Sequence, residues 1–139
     1  MSRGLTVAIC IDEKGGMLFG GKRQSKDRIL IKNLLELCQG TIHITDFSRA
    51  LFSEHEEKIM VSKKPYKKCD KGDVCFIEDV PFSDFQTDVD RLIIYKWNRH
   101  YPSDTVLNIE PESLGLKLVS SVDFAGSSHE KITREIYEK

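Results

Sequence analysis

Val74-Cys75-Phe76-Ile77-Glu78-Asp79-Val80-Pro81-Phe82-Ser83-Asp84-Phe85 is an apolar run that breaks into two carboxylates and a proline, and a second apolar run, Leu92 to Tyr95, follows it. A strand that enters a tight turn and a short helix before the next strand is where many α/β proteins hold the phosphates of a cofactor. This turn carries acids and no glycine. Proline is well tolerated in the first turn of a helix, so Pro81 to Asp88 reads as a brief helix between two strands.

Working outward, the same alternation extends over the chain. Leu5 to Ile11 is a continuous apolar run of strand length, stopped by Asp12-Glu13-Lys14-Gly15-Gly16. Met17 to Lys22 reads as a glycine-rich loop, and Ser25 as the N-cap of a helix running to about Cys38. Ile29, Leu30, Leu34, Leu37 and Cys38 recur at helical spacing, with Gly40 as the stop. Thr41 to Thr45, Lys58 to Ser62, Asp73 to Ile77 and Arg91 to Asn98 read as strands, and Asp46 or Phe47 to Phe52 as one or two helical turns. Leu116 to Phe124 and Lys131 to Tyr137 are alternating runs separated by Ala125-Gly126-Ser127-Ser128, which predicts an antiparallel pair. A mostly parallel twisted sheet with helices on both faces and an antiparallel C-terminal edge follows. No internal repeat or linker interrupts residues 1–139, so a single domain is expected.

Composition narrows the function classes. Forty per cent hydrophobic with 31% charged residues is an ordinary soluble balance, and a net charge of -1 gives no global pull toward nucleic acid or anionic membrane. Apolar stretches fall far short of the ~20 residues that span a bilayer, and the start carries no signal-peptide pattern, so the expected location is cytoplasmic, with no membrane partner. Cys10, Cys38 and Cys75 sit in apolar periodic segments as small hydrophobes. Cys69 lies beside Lys67, Lys68 and Lys71, which favour its thiolate.

The order and spacing resemble the dihydrofolate reductases. The resemblance is carried by Val7-Ala8-Ile9-Cys10-Ile11-Asp12 as a first strand, a glycine-rich loop, and a helix bearing Asp27 near its start. Leu92-Ile93-Ile94-Tyr95, the pair Asp104-Thr105, Leu116-Lys117-Leu118-Val119 and the final run Lys131 to Tyr137 continue it. It implies a three-layer α/β fold of that type, an NADPH site and a pterin pocket in which Asp27 helps deliver a proton. Asp27 is the one catalytic candidate; an acid near a helix start is also favoured there without any ligand.

The family's phosphate-binding positions are altered. Where the resemblance implies a Gly-Gly pair ahead of a helix, this chain has Glu78-Asp79-Val80-Pro81, whose acids repel phosphate and whose proline removes an amide donor. Where it implies a Gly-Arg-x-Thr turn, the chain has Thr45-Asp46-Phe47-Ser48. Each unfavourable charge contact costs on the order of 1 kcal/mol when partly desolvated. Asp46, Ser48, Glu78 and Asp79 are therefore degenerate cofactor positions, with no cofactor expected and NADPH disfavoured, and Asp46 and Asp79 read as helix caps.

Two other sets are candidate ligand or partner surfaces. Lys63, Lys64, Tyr66, Lys67 and Lys68 form a basic loop with an aromatic, able to meet a phosphate backbone and stack on a base, or else a solvated loop that balances Glu54, Glu56 and Glu57. Tyr95 and Trp97, with Arg99, His100 and Tyr101, are interface-type residues that suit a pocket, a protein partner or homodimer contact, or core packing. His43, His55, His100 and His129 show no ligand spacing, so no metal is expected. Ser127-Ser128-His129-Glu130 reads as a turn, since a catalytic triad is recognised by geometry and not by adjacency.

Three readings follow. The favoured one is a protein of dihydrofolate-reductase-like fold without NADPH-dependent reductase activity, acting as a binding or accessory module. The second is a divergent oxidoreductase of that superfamily acting on a small pterin- or nucleotide-like substrate. The third is a nucleic-acid-associated protein using the Lys63 to Lys71 loop.

Overall fold

A computed structural model describes residues 4–107 and 110–139. Its main sheet contains β1 (Leu5–Ile11), β4 (Ile42–Ile44), β5 (Ile59–Val61), β6 (Val74–Phe76), β7 (Val89–Lys96), β9 (Lys117–Phe124) and β10 (Ile132–Glu138), in the order β5-β4-β6-β1-β7-β10-β9. β5, β4, β6, β1 and β7 run parallel, and β10 and β9 close the edge antiparallel. Parallel strands need crossovers that cover the sheet, which is why β1 and β7 read as near-continuous apolar runs.

Alternate residues of β1 feed two cores. Leu5, Val7, Ile9 and Ile11 pack on one face with Tyr66, Phe85, Val89 and Tyr137. Ala8 and Cys10 face the other way, toward Phe52, Phe76, Tyr95 and helix α1 (Arg28–Leu37), which contributes Leu30, Ile31 and Leu34. The helical layers are unequal. The α1 face also holds the 3₁₀ segment Asp46–Phe52, whereas the opposite face is covered through short 3₁₀ turns at Pro65–Lys67, Phe82–Asp84, Gln86–Asp88 and Pro111–Leu114.

Three local expectations are revised. Asp27, not Ser25, is the N-cap of α1, with extended backbone (φ -156°, ψ 127°) and its side chain accepting from the amides of Ile29 and Leu30. The helix ends where expected, after Leu37, but its stop is an extended Cys38 and not a left-handed Gly40. The glycine-rich loop is a hairpin of β2 (Gly16–Phe19) and β3 (Lys22–Arg23), and β8 (Thr105–Val106) pairs with β2 to make a second, three-stranded sheet. Phe19 pairs with Lys22 around Gly20-Gly21, both at positive φ (59° and 72°), the backbone that a two-residue hairpin turn demands. Strands this short leave almost no periodic signal.

Candidate functional site

Two concavities lie beyond the C-terminal ends of the parallel strands, where open α/β sheets usually take ligands. The first lies beside the buried Asp27, which does not itself line it. This carboxylate is 3% exposed and is closed off by the connection between β9 and β10. Oδ1 accepts from the amides of Ile29 (2.9 Å), Leu30 (3.3 Å) and Ser127 (2.9 Å) and from the Ser127 hydroxyl (3.1 Å). Oδ2 accepts from the amide of Ser128 (2.8 Å) and from Nδ1 of His129 (2.9 Å). Burial alone would raise the Asp27 carboxyl, but the bonds from His129, Ser127, Ser128 and Leu30 outweigh it and hold it far below the usual carboxylate range. A Cβ on Gly126 would collide with this carboxylate, so the close approach requires glycine.

With Nδ1 donating to Asp27, a neutral His129 leaves Nε2 as acceptor for the hydroxyls of Ser25 (2.9 Å) and Tyr101 (3.3 Å). Its ring stacks on Trp97 at 4.6 Å. Ser25, His129 and Asp27 thus stand in the order of a serine–histidine–aspartate relay, assembled from residues about a hundred positions apart. The space beside them, bounded by Cys10, Met17, Gln24, Ser25, Ile77 and Trp97 among others, measures only about 10 Å³. That is room for about one water, against the several hundred Å³ of ordinary small-molecule pockets.

Asp12 braces the same region from the end of β1. It is 2% exposed; Oδ1 accepts from the amides of Lys14 and Gly16 (2.8 Å each), and Oδ2 from Gln24 Nε2 and the Tyr101 amide (3.1 Å each). Read from the sequence as turn chemistry alone, it ties the β2–β3 hairpin to the segment after β7.

The second concavity is open, about 510 Å³, and is lined by Thr45, Asp46 and Phe47 after β4, by residues 61–64, by Tyr66, and by Asp79, Val80, Pro81 and Asp84 after β6. Asp46 and Asp79 do meet in one groove. Neither caps a helix, contrary to the sequence expectation: Thr45 and Pro81 hold the N-cap positions of the two 3₁₀ segments, with no side-chain cap bond at either. The Thr45 hydroxyl instead donates to Asp79 (2.7 Å).

Ser48 and Glu78 part company with the groove acids. Glu78, 9% exposed, receives Nε and Nη2 of Arg23 (3.0 Å each) and the Ser48 hydroxyl (2.7 Å), and Arg23 Nη2 also donates to the Phe47 carbonyl (2.9 Å) while the guanidinium lies 4.8 Å over the Phe47 ring. This cluster separates the two concavities, because Arg23 and Glu78 line the small cavity and Phe47 the large one.

The surface candidates divide as well. Lys63, Lys64, Lys67 and Lys68 are exposed, but Tyr66 is 7% exposed and packs on Phe85 (5.3 Å), so it offers no face for base stacking. Tyr95 and Trp97, for which the sequence leaves pocket, interface and core packing all open, are buried: Tyr95 completely, with its hydroxyl donating to Asn33 (2.8 Å), and Trp97, 4% exposed, beside the small cavity. Strand β7 is covered on both faces, which an apolar run alone does not distinguish from an exposed aromatic edge. Away from both concavities, the fold gathers His43, Cys69 and Asp73, whose donor atoms all lie within 4.8 Å of one another; their sequence separation hid this grouping. Among the described residues, no helix is long and apolar enough to cross a membrane.

No protein-family model matches the chain, and no curated protein matches it. Solved structures do: a dihydrofolate reductase from Enterococcus faecalis, complexed with NADP(H) and RAB-propyl, superposes over 99% of this chain and 97% of its own with a TM-score of 0.64 at 17% identity. With the pairing of β10 and β9 onto β7, this likeness establishes the architecture: the chain has a dihydrofolate-reductase-like fold.

Proposed function

We propose that this chain is a single-domain binding or accessory module on a dihydrofolate-reductase-like frame, without NADPH-dependent reductase activity. One observation carries the reading: the Asp27 carboxylate, the acid that the resemblance assigns to pterin chemistry, is saturated by six donors of its own chain beside a cavity of about 10 Å³. A proton-delivering carboxylate needs an open face and a pKa near the working pH. Here both are against it.

The open groove is the seat of binding in this reading. Asp46, Asp79 and Asp84 oppose a nucleotide phosphate there, while Phe47, Val61, Val80 and Pro81 supply apolar wall and Lys63 and Lys64 a basic margin. That combination suits a small ligand or peptide segment carrying a cationic group and an apolar body. The buried Tyr66 weighs against the nucleic-acid alternative.

Thermal shift with NADPH, NADP and folates, beside an assay of dihydrofolate-dependent NADPH oxidation, tests the proposal. Ligand at a hundred times its Kd would add ~2.7 kcal/mol of stability, so true binding is readily seen. No shift and no turnover are expected. A saturable shift with NADPH overturns the reading.

A further inference from the structure

We propose that His43, Cys69 and Asp73 form a site for a divalent transition metal of the zinc class, which pins the lysine-bearing loop between β5 and β6 to strand β4. The inference is independent of what the groove binds. It begins with donor chemistry: an imidazole nitrogen, a thiolate sulfur and a carboxylate oxygen, all within 4.8 Å of one another. Zinc takes these three donors at roughly 2.0–2.3 Å, which places tetrahedral donor pairs about 3.3–3.8 Å apart. Drawing the Cys69 sulfur of the loop inward by about an ångström and opening the 2.8 Å contact between His43 and Asp73 to about 3.3 Å converts the present grouping into that geometry. The mixture of sulfur and imidazole selects the zinc class over calcium or magnesium, which prefer all-oxygen sites.

A second observation points the same way. His43 stands in the middle of β4 and is 2% exposed, yet its Nδ1 is buried with no hydrogen-bond partner. Its Nε2 lies 2.8 Å from Asp73 Oδ2. An ion seated among the three donors would take Nε2, the nitrogen on the Asp73 side, in place of this hydrogen bond, and the ring proton would pass to Nδ1, which no other contact commits.

The carboxylate is also held in place before any ion arrives. Asp73 Oδ1 accepts from the Thr41 amide (2.8 Å) and Oδ2 from the Asp70 amide (3.1 Å). Cys69 comes from the same loop, one residue before Asp70, and is half-buried. Binding would exchange the Cys69 thiol proton for the metal, leaving a sulfur–metal bond and releasing the proton to water. Three protein donors leave a fourth position for water or an exogenous ligand. Because Lys63, Lys64 and Tyr66 of this loop line the open groove, an ion at its far end would fix that wall.

The test is titration of the metal-free full chain with cobalt(II), whose thiolate complexes show a near-ultraviolet charge-transfer band and, when tetrahedral, strong visible bands. The expected result is one cobalt per chain, both sets of bands, and their loss when zinc is added. Cys69→Ser should abolish the charge-transfer band and weaken zinc binding by at least about tenfold, with Asp73→Asn weakening it comparably. Cys10→Ser, on β1 in the other core, should leave the band intact. Absence of the band in the wild-type chain at several-fold excess cobalt, or a band that survives Cys69→Ser, overturns the proposal.

Discussion

The small cavity beside Asp27 and the groove around Asp79 lie at the same end of one parallel sheet, yet the first holds about 10 Å³ and the second about 510 Å³. In the first, every acid is buried in hydrogen bonds from its own chain; in the second, Asp46, Asp79 and Asp84 line open space and Asp46 and Asp79 are exposed. Between them the Arg23–Glu78–Ser48 cluster forms the partition. The contrast separates two uses of a carboxylate. An acid enclosed by donors supports the fold, and an acid left facing a groove is available to a ligand.

The strongest way to break this contrast is Asp27→Ala. It removes the N-cap of α1, the anchor of residues 127–129 and the partner of a buried histidine together, and a loss of about 3–5 kcal/mol is expected in urea unfolding. Gly126→Ala should act through the same contact, because its Cβ would displace the carboxylate. Active-site acids commonly trade stability for function, so stability that holds or rises on removing Asp27 would return it to the class of working residues.

The partition comes next. Glu78 is 9% and Arg23 22% exposed, so this ion pair is not a surface one. Glu78→Ala should cost about 2–4 kcal/mol by leaving the guanidinium and Ser48 without their acceptor, and the Arg23→Ala/Glu78→Ala double variant should be less damaged than the sum of the singles. A coupling energy near zero would show that the two concavities are not divided by this pair.

How far the sequence discloses this contrast depends on the range of the interaction. Strands β1 and β7 and the apolar face of α1 are legible because each is a run of local pattern, and the antiparallel ending follows from alternation on both sides of Gly126. The β2–β3 hairpin is not, since strands of four and two residues carry no period to detect. That Asp46 and Asp79 share a groove follows from strand order, because β4 and β6 are neighbours. The clamp on Asp27 by residues 127–129 and the meeting of His43 with Asp73 span about a hundred and thirty positions respectively, and only the completed sheet brings them together. For Tyr95 and Trp97 the sequence leaves core, pocket and interface open, because a strand buried on both faces shows no polar side.

Acid supplies a smaller and more selective probe. The folded pKa of Asp27 is depressed, so its contribution is complete above the usual carboxylate pKa of about 4 and is lost as pH falls from there toward the folded value. The wild-type chain should therefore lose stability on the order of 2 kcal/mol more than Asp27→Asn between neutrality and strong acid. Asp12 and Asp73, also depressed because amide hydrogen bonds outweigh burial, remain in both proteins and cancel in the difference. Parallel unfolding curves for the two proteins across that range would contradict the enclosed-acid account.

The smallest expected effect sharpens the other side. Asp46→Asn removes an exposed charge that makes no cap bond, and its stability should change by less than about 0.5 kcal/mol. Asp79→Asn retains an acceptor for the Thr45 hydroxyl, so it too should stay within about 1 kcal/mol of wild type. The groove acids then differ from Asp27 in kind: their charges can be removed without unfolding the chain, and any change they cause belongs to what enters the groove. A cationic ligand that binds the wild-type groove should lose affinity in Asp46→Asn/Asp79→Asn at unchanged melting temperature, with the loss shrinking as salt screens the charges. If the double variant melts as far below wild type as Asp27→Ala does, the groove acids are structural after all and the two regions are alike.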